Sequence, residues 1–170
     1  WTSNNGNNNS SVSAFAGTLN AYFYVANSNG ETTKLITPAM NISGLSNPRL
    51  IFQHSQVEWF GDQDTLGVYY KDSSVSSWTL LASYTNNVTA WTQRTINLPN
   101  ASTDYYIAFE AYSDYGRGIT LDAFKVEATP SCLATSSLTT SGITSDSANL
   151  SWTENGTATS WQIEWDTANF

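Results

Sequence analysis

The chain has 170 residues, of which 40% are hydrophobic and 14% aromatic but only 12% charged, and its formal net charge is −8. That apolar content supplies a core and argues against disorder. The 6 Lys and Arg cannot build the clustered cationic face that nucleic acid or an anionic membrane surface requires.

An anionic polysaccharide is disfavoured by the charge, not excluded. Cys132 is the one cysteine, so no internal disulfide can form. Small secreted animal modules usually depend on disulfides, whereas a secreted bacterial domain with a large core need not. No apolar run approaches the ~18 residues of a membrane-spanning helix, so membrane insertion is not expected. With no signal-peptide pattern at its start, the chain reads as a fragment of a longer secreted bacterial protein.

In chain order, residues 3–11 are nearly all Ser, Asn and Gly and read as a polar loop. Residues 21–25 read as a strand, followed by the turn Asn27-Ser28-Asn29-Gly30. A short strand at 33–37 is stopped by Pro38. Asn47-Pro48 introduces a strand over 49–59, with Leu50 and Phe52 on one face. Leu66, Val68 and Tyr70 then alternate with Gly67, Tyr69 and Lys71, the period of a strand with one buried face.

Further strands are expected at 78–84, 91–98, 105–111 and 119–126. In the last, Ile119 and Leu121 share a face while Phe124 and Val126 fall on the other parity. A β-bulge near Asp122-Ala123 would restore the register. No segment carries a sustained helical period. Short strands separated by turns predict an all-β sandwich or jelly roll over 1–127. Residues 128–132 (Ala-Thr-Pro-Ser-Cys) read as a linker. The pattern restarts over 133–170, at Leu138, Ile143, 148–152 and the strictly alternating 161–165. That stretch of about forty residues is too short to bury a core alone.

Two segments carry the chemistry. Trp59-Phe60-Gly61-Asp62-Gln63-Asp64 joins an aromatic pair to two acids, and Tyr112-Ser113-Asp114-Tyr115-Gly116-Arg117-Gly118 mirrors it further on. Aromatic rings stack on the C–H faces of sugars while a few polar groups fix the hydroxyls. Trp59, Phe60, Tyr112 and Tyr115 are the candidate platform, with Glu58, Asp114 and Arg117 as hydrogen-bonding partners. Asp62, Asp64 and Asp122 are candidate ligands of a structural Ca2+, since hard cations gather carboxylate and carbonyl oxygens.

Catalysis finds little support. By alternation His54 shares the face of Leu50 and Phe52, as a buried, hydrogen-bonded histidine would. Neither a G-x-S-x-G nucleophile turn nor an E-x-D-x-x-E run is present. Trp78, Trp91, Tyr70, Tyr106, Phe109 and Trp152 are assigned to the core.

The motifs Lys34-Leu35-Ile36-Thr37-Pro38-Ala39, Asn47-Pro48-Arg49-Leu50-Ile51-Phe52, Gly61-Asp62-Gln63-Asp64, Trp78-Thr79-Leu80-Leu81, Trp91, Tyr106-Ile107-Ala108-Phe109-Glu110 and Gly118-Ile119-Thr120-Leu121-Asp122 occur in this order. Together they resemble the MAM-like, cleaved-adhesin-type jelly-roll domains of secreted Bacteroidetes proteins. Ala123 stands where that family often has a second acid, and the cysteines of animal MAM domains are missing. Residues 143–152 and 161–165 resemble the second and third strands of a fibronectin type III module. The resemblance implies a non-catalytic adhesion or carbohydrate-binding role, often with structural calcium. The implied partners are a polysaccharide or glycan and the flanking domains of the parent protein. A structural or protein–protein spacer without sugar binding is the alternative.

Overall fold

The computed structural model describes residues 1–7, 12–26, 29–72, 77–130, 132–156 and 158–164. Two compact units emerge, Trp1–Ala128 and Thr129–Phe170. The first contains β1 (Thr2–Asn4), β2 (Asn20–Phe23), β3 (Asn29–Ile36), β4 (Pro48–Gln56), β5 (Thr65–Lys71), β6 (Thr79–Tyr84), β7 (Val88–Asn97), β8 (Tyr106–Asp114) and β9 (Ile119–Ala128). They form a five-stranded sheet, β1-β2-β9-β4-β7, and a four-stranded sheet, β3-β8-β5-β6. All pairings are antiparallel. The unit is an all-β jelly-roll sandwich.

The core follows from strand alternation. Leu50 and Phe52 of β4, Leu66, Val68 and Tyr70 of β5, Ile107, Phe109 and Ala111 of β8, and Ile119 and Leu121 of β9 pack into one buried cluster. Phe52 meets Phe109 edge to face at 5.1 Å, and Tyr70 stacks on Tyr105 at 5.5 Å, geometries that the ring quadrupole favours. The expected bulge is present. The pairing of β9 with β4 shifts register between Ile51 and Gln53, and Ala123 there has φ 49°.

Several elements differ from the sequence expectation. Ser3 and Asn4 join β1, and Gly6 and Asn7 are buried. The buried Asn20 side chain explains the local order. It accepts from the Gly6 N–H at 2.6 Å and donates back to the Gly6 carbonyl at 3.2 Å. Residues 8–11, like Asn27 and Ser28 of the expected turn, lie outside the described residues. The strand that begins at Pro48 ends at Gln56, before Trp59.

Tyr106 stands on the outer face and is only half-buried, because the inward position belongs to its neighbour Tyr105. Trp78 and Trp91 are likewise half-buried and outside the core. Trp91 packs edge-on against Phe15 at 6.1 Å and donates its Nε1–H to the Ser13 carbonyl at 2.7 Å.

In the second unit, β10 (Ser136–Ser141) and β11 (Asn149–Thr153) pair as an antiparallel hairpin. Trp152, expected in a core, is half-buried and lies edge to face with Trp161 at 5.3 Å. The alternating segment 161–165 forms no strand over its described part, 161–164. Trp161 turns instead to donate its indole N–H to Glu154 at 3.0 Å. Trp165 lies outside the described residues.

Candidate functional site

Beyond β4 the chain makes a tight hairpin. Trp59 and Asp62 exchange two backbone hydrogen bonds of 2.9 Å, and Phe60 and Gly61 between them have φ of 50° and 101°. Left-handed backbone at both central positions is the turn that matches the twist of two antiparallel strands. Gly61 adopts it freely. Phe60 does so at a cost of about 1–2 kcal/mol, because its Cβ crowds the following carbonyl. The strain places an aromatic ring at the tip, where Phe60 is 91% exposed.

Trp59 lies behind it, 41% exposed, with ring centroids 4.8 Å apart at 83°. The Arg117 guanidinium sits 3.9 Å from the Trp59 ring centroid. A cation over an indole face is attracted by the ring quadrupole, and the stack holds both groups in place.

Arg117 reaches this position because its own loop is fixed from both sides. Its N–H donates to the Val57 carbonyl at 2.8 Å, and its carbonyl accepts from the Tyr22 hydroxyl at 3.1 Å. Asp64 supplies the larger constraint. Only 2% exposed, it accepts from the Asp114 and Gly116 N–H groups through Oδ1 at 2.8 and 3.0 Å, and from Gly118 through Oδ2 at 2.9 Å.

Three backbone N–H donors give the buried charge the partners it needs. The wrap requires glycine. A Cβ at position 116 would lie 2.7 Å from the Asp64 carboxyl carbon, and one at 118 would lie 2.4 Å from the Phe23 carbonyl oxygen. Just before them, Tyr115 takes φ 58° and remains 43% exposed.

A buried polar row continues inward from this clamp. Gln56 Nε2 faces the carbonyls of Asp64, Tyr84 and Asn86 at 3.3, 3.1 and 3.1 Å. With its amide nitrogen donating, Gln56 Oε1 accepts from His54 Nε2 at 2.9 Å. His54 Nδ1 then accepts from Arg94 Nε at 3.4 Å, which assigns the neutral Nε2–H tautomer. Burial lowers the His54 pKa to about 4; the Gln56 bond opposes the shift and the Arg94 charge assists it. As the sequence predicted, His54 is buried and hydrogen-bonded.

The structure therefore joins Trp59, Phe60 and Arg117 directly and places Asp114 and Tyr115 in the loop that Asp64 clamps. Glu58 is exposed beside the hairpin, its N–H donating to Asn87 Oδ1 at 3.3 Å. Tyr112 belongs elsewhere. It lies on the outer face of β8, opposite Thr32 and Thr65.

The expected Asp62, Asp64 and Asp122 ligand set is not assembled. Asp62 is an exposed hairpin residue, and Asp64 is engaged by three backbone amides. Asp122 Oδ2 accepts from the Phe15 and Ala16 N–H groups at 2.9 and 3.0 Å, and its Oδ1 from Ala123 at 2.7 Å. Among the described residues no three His, Cys, Asp or Glu side chains gather at metal-binding spacing. Sequence reasoning missed the clamp. Its signal was the pair Gly116 and Gly118 facing an acid just before a strand.

No family model and no curated protein matches the chain. Among solved structures, the carbohydrate-binding module TmCBM61 in complex with β-1,4-galactotriose superposes with a TM-score of 0.54 at 13% identity, covering 72% of this chain and 78% of that one. The K1 cleaved adhesin domain of Lys-gingipain from Porphyromonas gingivalis W83 matches with a TM-score of 0.49 at 21% identity, over 66% of this chain and 74% of that one. CBM28, a non-crystalline cellulose specific carbohydrate-binding module, gives 0.45 at 14% identity, over 71% and 85%. At such identities the first likeness establishes a shared fold.

Proposed function

We propose that the first unit is a non-catalytic carbohydrate-binding module that attaches a secreted bacterial protein to a polysaccharide. The observation that carries this reading is Phe60, a phenylalanine 91% exposed at a left-handed turn position. Folding alone gives no reason to put a large apolar ring there, and strained backbone concentrates at functional sites. Trp59 and Arg117 widen the platform, while Glu58, Asp114 and Tyr115 supply polar groups beside it. TmCBM61, which shares the fold, is described with a bound galacto-oligosaccharide; that supports the ligand class without naming the sugar. A catalytic reading gains nothing from His54, whose two ring nitrogens are both engaged inside the sandwich.

Residues 133–170 fit the opening of a fibronectin type III module, supported by the β10–β11 hairpin and Trp152. Single modules of this kind bind weakly, and linked copies gain through effective concentration. Affinity electrophoresis in gels containing soluble polysaccharides tests the proposal. The wild-type domain is retarded by at least one glycan, and Trp59→Ala and Phe60→Ala are retarded less. Equal migration of all three in every gel contradicts it.

A further inference from the structure

The four-stranded sheet carries a second aromatic and polar arrangement, on its outer face. Lys34 of β3, Glu110 of β8 and Gly67 of β5 are aligned across three neighbouring strands. The Tyr69 ring folds back over Gly67. A Cβ at position 67 would lie 2.6 Å from Tyr69 Cε2 and 3.2 Å from its hydroxyl. Strand side chains normally stand roughly perpendicular to the sheet, so glycine here lets a tyrosine lie along the surface.

The Tyr69 hydroxyl hydrogen-bonds Glu110, Glu110 pairs with Lys34, and the Lys34 ammonium is 5.5 Å from the Tyr69 ring centroid. Ion-pairing with Lys34 also keeps the Glu110 carboxyl below its usual range. Ile36 and Tyr112, both exposed on the same strands, extend the face to either side.

A ring laid along a surface beside a carboxylate and an ammonium is a compact set for one ligand class. The ring takes the C–H face of a pyranose. The carboxylate accepts from one hydroxyl while the ammonium donates to its neighbour, and charge-assisted bonds of this kind are the strong ones. A uronate would meet Glu110 and an amino sugar would meet Lys34, so the charge pair suits a neutral sugar.

We infer that the outer face of the β3-β8-β5-β6 sheet is a second saccharide subsite, taking a neutral pyranose on Tyr69 with vicinal hydroxyls held by Glu110 and Lys34. This rests on the glycan-binding reading of the domain but uses none of the loop residues.

Isothermal titration with soluble galactan, mixed-linkage β-glucan, xyloglucan and galactomannan, and with polygalacturonate as the acidic control, separates the two sites. Gly67→Ala displaces only a side-chain tip, so the fold survives. It and Tyr69→Ala should each weaken binding of the neutral glycan at least fivefold at an unchanged melting midpoint. Tyr69→Phe should keep most of it. Trp59→Ala should weaken binding separately, and the Trp59→Ala/Tyr69→Ala pair should abolish it. Full affinity in Gly67→Ala and Tyr69→Ala, with loss confined to Trp59→Ala, overturns the sheet-face subsite and leaves the loop platform. Preference for polygalacturonate overturns the neutral-sugar assignment. No heat with any of the five polymers overturns both sites.

Discussion

Phe60 sets stability against the proposed sugar contact within one residue. Asparagine followed by glycine is the favoured pair for its turn, so Phe60→Asn should raise the unfolding free energy by about 0.5–1 kcal/mol. Denaturant titration measures that gain, and the glycan affinity of the same variant should fall. Asp64 behaves oppositely. Asp64→Asn replaces one acceptor oxygen with an NH2 group facing a backbone N–H. The expected loss is about 2–4 kcal/mol, visible as a lower urea midpoint, with the 114–118 loop losing amide protection.

His54 gives a pH signature. Its folded pKa of about 4 lies below the unfolded value near ~6.5, so the unfolded chain binds the extra proton first. Stability therefore declines as pH falls from about 6.5 to about 4, by on the order of 3 kcal/mol. His54→Gln should flatten that slope when unfolding is followed at several pH values.

At the scale of elements, the bulge in β9 is the most informative feature. Ala123 holds φ 49° there, a conformation that glycine adopts without a Cβ clash. Ala123→Gly should stabilise the domain by about 1 kcal/mol, read as a raised melting midpoint. The bulge was legible in the sequence because Ile119 and Leu121 share one parity and Phe124 and Val126 the other. Alternation likewise announced the inward faces of β4 and β5.

It did not announce which residue of Tyr105-Tyr106 points inward, since both are large and aromatic. Nor did it reveal that β4 stops at Gln56. That depends on the Trp59–Asp62 turn and on the Val57 carbonyl being claimed by Arg117, a contact between segments far apart in the sequence. The aromatic pair Trp59-Phe60 was readable as composition. The Asp64 clamp was not, because an acid near a turn looks the same whether it meets a cation, water or backbone amides.

For the whole molecule, the described strands of Trp1–Ala128 bury one continuous cluster, while the described residues of the second unit offer a two-stranded hairpin, an arrangement marginal by itself. A chain ending at Ala128 should keep a cooperative transition and dispersed amide resonances. Loop rigidity comes from Asp64, so chelation should leave the melting midpoint within the error of the scan. A calcium-dependent rise would show a native-state ligand and restore the carboxylates as its holders.

We propose that Phe60 is held exposed in order to touch sugar. A glycan microarray probed with the wild-type domain and with Phe60→Asn tests it most directly. Wild-type protein should bind a defined set of neutral glycans, and a variant at least as stable should lose that signal. Undiminished binding by the variant, or a silent array with folded wild-type protein, would contradict it.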